Sequence, residues 1–217
     1  KSMNNLNKRV LTSLIVLPLS MFFIIKGGNY IVSFLYAILI LANFEAFSVF
    51  KRKTSIIFLD SVLVVSLLSI LHLRNDTASS LILLLWVIML TISSDIGGYL
   101  FGKMFKWKKF TYISPNKTLS GVIGSLIFSI FSILLLGIIC KIFFKIDLSF
   151  FFKFKFFIIA IVLSLSAQTG DLMVSYLKRL DKIKDTGKIL PGHGGIFDRI
   201  DSMMLSIIAA NILYYLK

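Results

Sequence analysis

Between Gly170 and Asp201 the chain runs GDLMVSYLKRLDKIKDTGKILPGHGGIFDRID, and half of its ten acidic residues fall there: Asp171, Asp181, Asp185, Asp198 and Asp201. Asp171, Ser175 and Lys178 are spaced i, i+4 and i+7, which places them on one face of a helix. Asp198 and Asp201, at i and i+3, share a side of the next helix, with Arg199 between them. The connecting stretch holds Lys182, Lys184, Asp185 and Lys188, then three glycines around His193; glycine tolerates dihedrals that other residues avoid, so such a backbone can approach a ligand closely. Carboxylate oxygens beside lysines and arginines suit Mg²⁺ and phosphates, because Mg²⁺ takes one or two carboxylates plus substrate oxygens. One histidine with no nearby cysteine is too few ligands for zinc. The chemistry favoured is magnesium-assisted phosphoryl or nucleotidyl transfer. A carboxylate inside a membrane costs about 2.5–3.5 kcal/mol on insertion scales, so Asp171 needs a partner; a salt bridge to Lys178 or Arg179 is the structural alternative to a metal.

A second group lies earlier, in Ser93-Ser94-Asp95-Ile96-Gly97-Gly98-Tyr99 and Ser114-Pro115-Asn116-Lys117-Thr118-Leu119-Ser120-Gly121. Asp95 is expected to face the same space as Asp171. Gly97 to Lys103 imitates the opening of a phosphate-binding loop, but Met104 stands where Ser or Thr is required and no strand precedes it. Glu45 and Asp60 are further acids in apolar surroundings, for which pairing within the bundle and a direct role stand equal.

The elements that must hold these residues follow from composition. Of 217 residues 57% are hydrophobic and 16% charged, against about 45–50% and about 25% in soluble domains. Mean hydropathy is +0.91. The fold class expected is all-α: a polytopic transmembrane helix bundle of about seven spans, residues 1–217 forming a single integral-membrane domain. Apolar runs lie at 10–26, 29–50, 55–73, 79–102, 119–145, 154–177 and 202–216, each near the ~20 residues a span takes. The first run lacks a signal-peptide cleavage pattern and is expected to be retained. With the N-terminus in the cytoplasm, 17 of the 24 Lys and Arg fall on the cytoplasmic side and 7 on the other, as the positive-inside rule requires. That orientation puts the motifs of 93–121 and 170–201 together at the cytoplasmic face. It also accounts for the net charge of +14 without a nucleic-acid partner. The aromatic and basic stretches 102–117 and 143–157 suit headgroup-level segments with snorkelling lysines, and the lone Cys140 suits a space-filling role.

At this point the chain resembles the phosphatidate cytidylyltransferase (CDP-diglyceride synthetase) family. The family's C-terminal signature is met at Ser175, Lys178, Arg179, Lys184, Asp185, Gly187, Leu190, Pro191, His193, Gly194, Gly195, Ile196, Asp198, Arg199, Ile200 and Asp201. Weaker likenesses are Lys8-Arg9-Val10 entering the first run, Glu45 before the basic residues 51–53, and Asp95 with Ser114, Pro115, Lys117 and Thr118. Ile96, Leu119 and Ser120 depart from the family's second motif. The resemblance implies that CTP and phosphatidate give CDP-diacylglycerol and pyrophosphate, with Mg²⁺ and a monovalent cation such as K⁺ beside it. It implies Asp171 and Asp198 as metal ligands. Lys117, Lys178, Arg179, Lys184 and Arg199 would meet phosphate oxygens, and Asp95, Asp185 and Asp201 would hold metal-bound waters or orient basic residues. His193 would hydrogen-bond a phosphate, and Ser175, Gly194 and Gly195 would contact substrate. A bacterial-type inner membrane is also implied; a homodimer is left open. The competing expectations are a CTP-dependent lipid kinase and, in a different class, a transporter using the intramembrane charges as an ion path.

Overall fold

The computed structural model describes residues 5–114, 117–145, 153–187, 189–192 and 194–215. Seven helices follow in order: α1 (Asn5–Lys26), α2 (Gly28–Val49), α3 (Lys53–Leu73), α4 (Ala78–Phe105), α5 (Leu119–Phe144), α6 (Phe154–Leu180) and α7 (Phe197–Tyr215). Each of the seven apolar runs falls on one of these helices over its described residues, to within a residue at the ends. The five from α2 to α6 are long and apolar enough to cross a membrane, and α1 carries a shorter apolar stretch, Val10–Lys26. A buried backbone in hydrocarbon must bond within its own segment, which is why these runs are continuous helices joined by turns. The chain is an integral-membrane helix bundle. Ile, Leu and Phe on the outer surfaces, such as Leu14, Ile40, Phe47 and Ile142, are exposed in the isolated chain as lipid-facing residues would be.

Alternating helix direction gathers the loops at two ends. At one lie the turn after α2, the connection from α4 to α5 and that from α6 to α7: the Arg52 N–H donates to Asp181 Oδ1 at 3.0 Å, and the Thr12 hydroxyl of α1 donates to the Pro191 carbonyl at 2.8 Å. At the other, buried Arg74 donates from Nε to the Ile24 carbonyl at 2.9 Å and from Nη2 to that of Ile25 at 3.1 Å. A cation there meets the carbonyls that the end of α1 leaves without helical partners. Both motif segments thus reach the same end of the bundle.

Small residues let the helices carrying the site approach closely. Gly97, Gly98 and Gly102 of α4 face Gly121 and Gly124 of α5; a Cβ on Gly121 would lie 2.9 Å from the Gly98 carbonyl oxygen. Such stripes of small residues suit helix pairs in membranes, where packing replaces the hydrophobic effect between helices. Hydroxyls join the same region: Ser125 donates to the Ser94 carbonyl at 2.8 Å, Ser94 and Ser164 meet at 2.8 Å, and Trp86 Nε1 donates to Ser132 Oγ at 3.2 Å. Asp60 of α3 accepts from Asn43 Nδ2 of α2 at 2.8 Å, so this acid pairs with an amide inside the bundle.

Candidate functional site

Four local devices deliver the functional side chains. Helix α6 ends in a tight turn: the N–H of Lys182 bonds the Arg179 carbonyl at 3.1 Å and that of Ile183 bonds the Lys178 carbonyl at 2.9 Å. Lys182 takes the left-handed backbone, φ 56°, a position glycine usually fills. The loop 106–118 doubles back on itself, with the Phe110 N–H on the Lys117 carbonyl at 2.8 Å and the Leu119 N–H on that of Lys108 at 3.0 Å. Thr118 then caps α5, accepting from the Gly121 N–H at 3.1 Å, as hydroxyl caps do. Finally, α6 and α7 cross where Gly170 abuts the backbone of Asp201, which leaves Asp171 and Asp201 side by side.

The result is a polar cavity of about 390 Å³ whose walls include Asp95, Tyr99, Lys117, Asp171, Asp198 and Asp201. Asp171 Oδ2 pairs with Lys117 Nζ at 2.7 Å, and its Oδ1 accepts from Ser175 Oγ at 3.3 Å. Lys117 also donates to the Gln168 carbonyl at 3.2 Å. Asp198 Oδ1 pairs with Lys178 Nζ at 2.7 Å, while Oδ2 accepts the N–H of Thr186 at 2.8 Å and of Gly195 at 3.2 Å. Asp95 Oδ2 accepts from Ser202 Oγ at 2.9 Å, tying α4 to α7. Spacing along α6 offered Lys178 or Arg179 as the partner of Asp171; the partner is Lys117, from another loop, and Lys178 reaches α7 instead.

Of the residues singled out from sequence, Asp95, Lys117, Asp171, Asp198 and Asp201 come together around this space, and Lys178, Ser175 and Gly195 support two of those aspartates. Gly194 takes φ +90° and bonds its backbone to Leu190 in both directions, at 3.0 and 3.2 Å, closing the small turn that presents Gly195. Arg179, Lys184 and Asp185 are exposed at the same end and do not line the cavity. Arg199 is turned away from it: with Ile200 and Met203 it borders a second cavity of about 460 Å³, walled almost entirely by apolar residues of α1, α2, α3, α4 and α7. His193 lies outside the described residues.

Two residues matter more than their spacing suggested. Glu45, fully buried, accepts from the Thr186 hydroxyl at 2.6 Å, the Ile196 N–H at 2.7 Å and the Phe197 N–H at 3.2 Å. Thr186, also fully buried, bonds both Glu45 and Asp198. Only the closeness of Glu45 to a basic turn hinted at the first, and nothing local hinted at the second.

Four carboxyl groups stand around one cavity, with Lys117 on Asp171 in its wall and Lys178 on Asp198 beside it. Among the described residues no three acids, histidines or cysteines close into a metal cage. A hard cation that takes one or two carboxylates and keeps waters does not need one. Each carboxylate offers about four lone-pair directions, so Asp171 and Asp198 retain acceptor capacity after the bonds described; the donor set fits Mg²⁺.

The sequence profile of the cytidylyltransferase family matches residues 52–217, which holds every residue of both motif segments. The chain belongs to the cytidylyltransferase family. Among similar proteins, a phosphatidate cytidylyltransferase of Helicobacter pylori is 42% identical over 135 residues, covering 61% of this chain and 47% of its own length. One of Staphylococcus saprophyticus is 38% identical over 144 residues, covering 66% and 53%, and one of Staphylococcus aureus is 39% identical over 136 residues, covering 60% and 48%. The chain thus spans about half the length of the curated relatives it matches. The part of the chain that lies outside the family match includes α1 and α2, and with them Glu45 and one wall of the apolar cavity.

Proposed function

We propose that this chain is a CTP:phosphatidate cytidylyltransferase, an integral-membrane enzyme making CDP-diacylglycerol and pyrophosphate with its active site at the cytoplasmic face of a bacterial-type inner membrane. The observation that carries the proposal is the pair of cavities on either side of the start of α7. Asp198 and Asp201 face the polar one, where a nucleoside triphosphate finds Lys117 and, beside Asp198, Lys178; Arg199 and Ile200 face the apolar one, where acyl chains find Ile, Leu and Met. A substrate with a phosphate and two acyl chains needs both environments within a few ångströms.

Mg²⁺, held by Asp171 and Asp198 with a monovalent cation such as K⁺ beside it, would neutralise triphosphate charge that an acidic cavity otherwise repels. Lys117 and Lys178, now paired with those aspartates, turn to the incoming phosphate oxygens and orient them. An oxygen of the lipid phosphate attacks the α-phosphorus of CTP, and the bond from that phosphorus to the pyrophosphate oxygen breaks; the nucleophile is already ionised, so no strong base is required. Rate enhancement then comes from orientation and from charges fixed in place before reaction. Asp95 and Asp201 complete the polar wall; Arg179 and Lys184, exposed at the same end of the bundle, would meet the triphosphate as it arrives, and Asp185 would orient them.

The test is product analysis with purified protein. Asp171→Ala and Asp198→Ala are expected to insert into membranes and to form no CDP-diacylglycerol; full activity in both would remove the metal assignment. A phosphorylated lipid in place of a nucleotidylated one would make the chain a CTP-dependent lipid kinase.

A further inference from the structure

Glu45 sits on α2, away from both motif segments, with none of its surface exposed. Such a carboxylate is tolerated only when its oxygens are filled by donors, and all three of its donors belong to the loop and helix start that carry Asp198. Oε1 takes the Thr186 hydroxyl at 2.6 Å and the Phe197 N–H at 3.2 Å, and Oε2 takes the Ile196 N–H at 2.7 Å. Phe197 opens α7, so Glu45 caps from another helix two N–H groups that α7 cannot satisfy itself. Thr186 is the shared member: its hydroxyl goes to Glu45 and its N–H, at 2.8 Å, to Asp198 Oδ2. Gly195 is a second link, donating its N–H to Asp198 at 3.2 Å while its Cα is packed against the Glu45 carboxylate. A Cβ on Gly187 would lie 2.8 Å from Glu45 Cγ, and one on Gly195 would overlap Thr186 and Glu45 outright. Both glycines leave the space that this side chain fills.

From these contacts we infer that Glu45 is a positioning residue for Asp198. It fixes Thr186, Gly195 and the first turn of α7, and thereby the angle at which Asp198 presents its carboxylate to the polar cavity. This rests on the assignment of Asp198 to a divalent cation made above.

The experiment measures Mn²⁺ binding to the full chain in detergent by electron paramagnetic resonance, with no CTP or lipid present, alongside the thermal unfolding midpoint. Glu45→Gln keeps the shape but sets an NH₂ against an N–H donor. It is expected to weaken Mn²⁺ binding about 10–100-fold, the range seen when partners of metal ligands are removed. Thr186→Val, which replaces the hydroxyl by a methyl group, is expected to weaken binding in the same direction and by less. Wild-type Mn²⁺ affinity in folded Glu45→Gln overturns the inference even if the unfolding midpoint falls, because a purely structural role predicts that pattern. If Glu45→Gln does not fold, unchanged affinity in Thr186→Val overturns it. A wild-type chain that binds no Mn²⁺ overturns both this inference and the metal assignment, whereas binding by wild type and Glu45→Gln alike removes the inference and leaves the assignment standing.

Discussion

The Lys178–Asp198 pair has a double role that a mutant cycle separates. Its nitrogen and oxygen are 2.7 Å apart and the two side chains are only 14% and 9% exposed, so solvent screens the interaction little. Removing one partner of a buried pair typically costs about 3–5 kcal/mol, because the other charge stays buried without compensation. Lys178→Met and Asp198→Asn are each expected at the lower end of that range, about 3 kcal/mol, since Asn still offers an oxygen to the N–H groups of Thr186 and Gly195. In the double variant no charge is stranded, and the loss should fall short of the sum of the singles by about 1.5–3 kcal/mol, the worth of a hydrogen bond to a charged group. Reversible unfolding in mixed micelles measures the stabilities, and CDP-diacylglycerol formation measures activity in the same preparations. The double variant therefore loses less stability than the two singles together but regains no activity, because Asp198 has a task beyond the ion pair. Losses that add to within about 0.5 kcal/mol, as independent sites do, would refute the pairing; recovered activity in the double variant would refute the catalytic task.

Lys117→Met disturbs a pair whose side chains are 23% and 32% exposed; stability should change by less than about 1 kcal/mol, while turnover falls about 10²-fold, as for loss of one preorganised charge donor. Activity assays beside unfolding curves check this. Gly195→Ala forces a methyl against Thr186 and Glu45 and should destabilise by about 1–3 kcal/mol, as overpacking does, with the circular-dichroism melt as readout. In a Cys140→Ser background, single cysteines at Lys51 and Asn75, both exposed and at opposite ends of the bundle, should react with a membrane-impermeant maleimide from opposite faces, Lys51→Cys from the cytoplasmic one.

Seven apolar runs announced seven helices because hydrocarbon leaves the backbone no other way to satisfy its polar groups. The ends were less visible. Helix α4 continues to Phe105 and α7 begins at Phe197, through Gly, Lys, Asp and Arg that hydropathy excludes but helix geometry accepts. The four aspartates and the lysine of the polar cavity were legible from residue type and clustering. Their pairing was not: Lys117 and Asp171 are far apart in the chain, and Glu45 meets Thr186 across 141 positions. Such choices are made by how α2, α5, α6 and α7 pack. Arg199 shows the same limit at close range. Successive helical residues turn by about 100°, so next to Asp198 it points to a different cavity, and only the placement of the neighbouring helices tells which.

The proposed reaction is nucleotidyl transfer from CTP to a lipid phosphate. The most direct measurement gives the purified chain phosphatidate, Mg²⁺ and CTP labelled at either the α- or the γ-phosphorus, then follows each label. The expected result is α-label in the lipid as CDP-diacylglycerol, γ-label in pyrophosphate, and neither transfer without Mg²⁺. γ-label in the lipid, or no label in the lipid in either experiment, would contradict it.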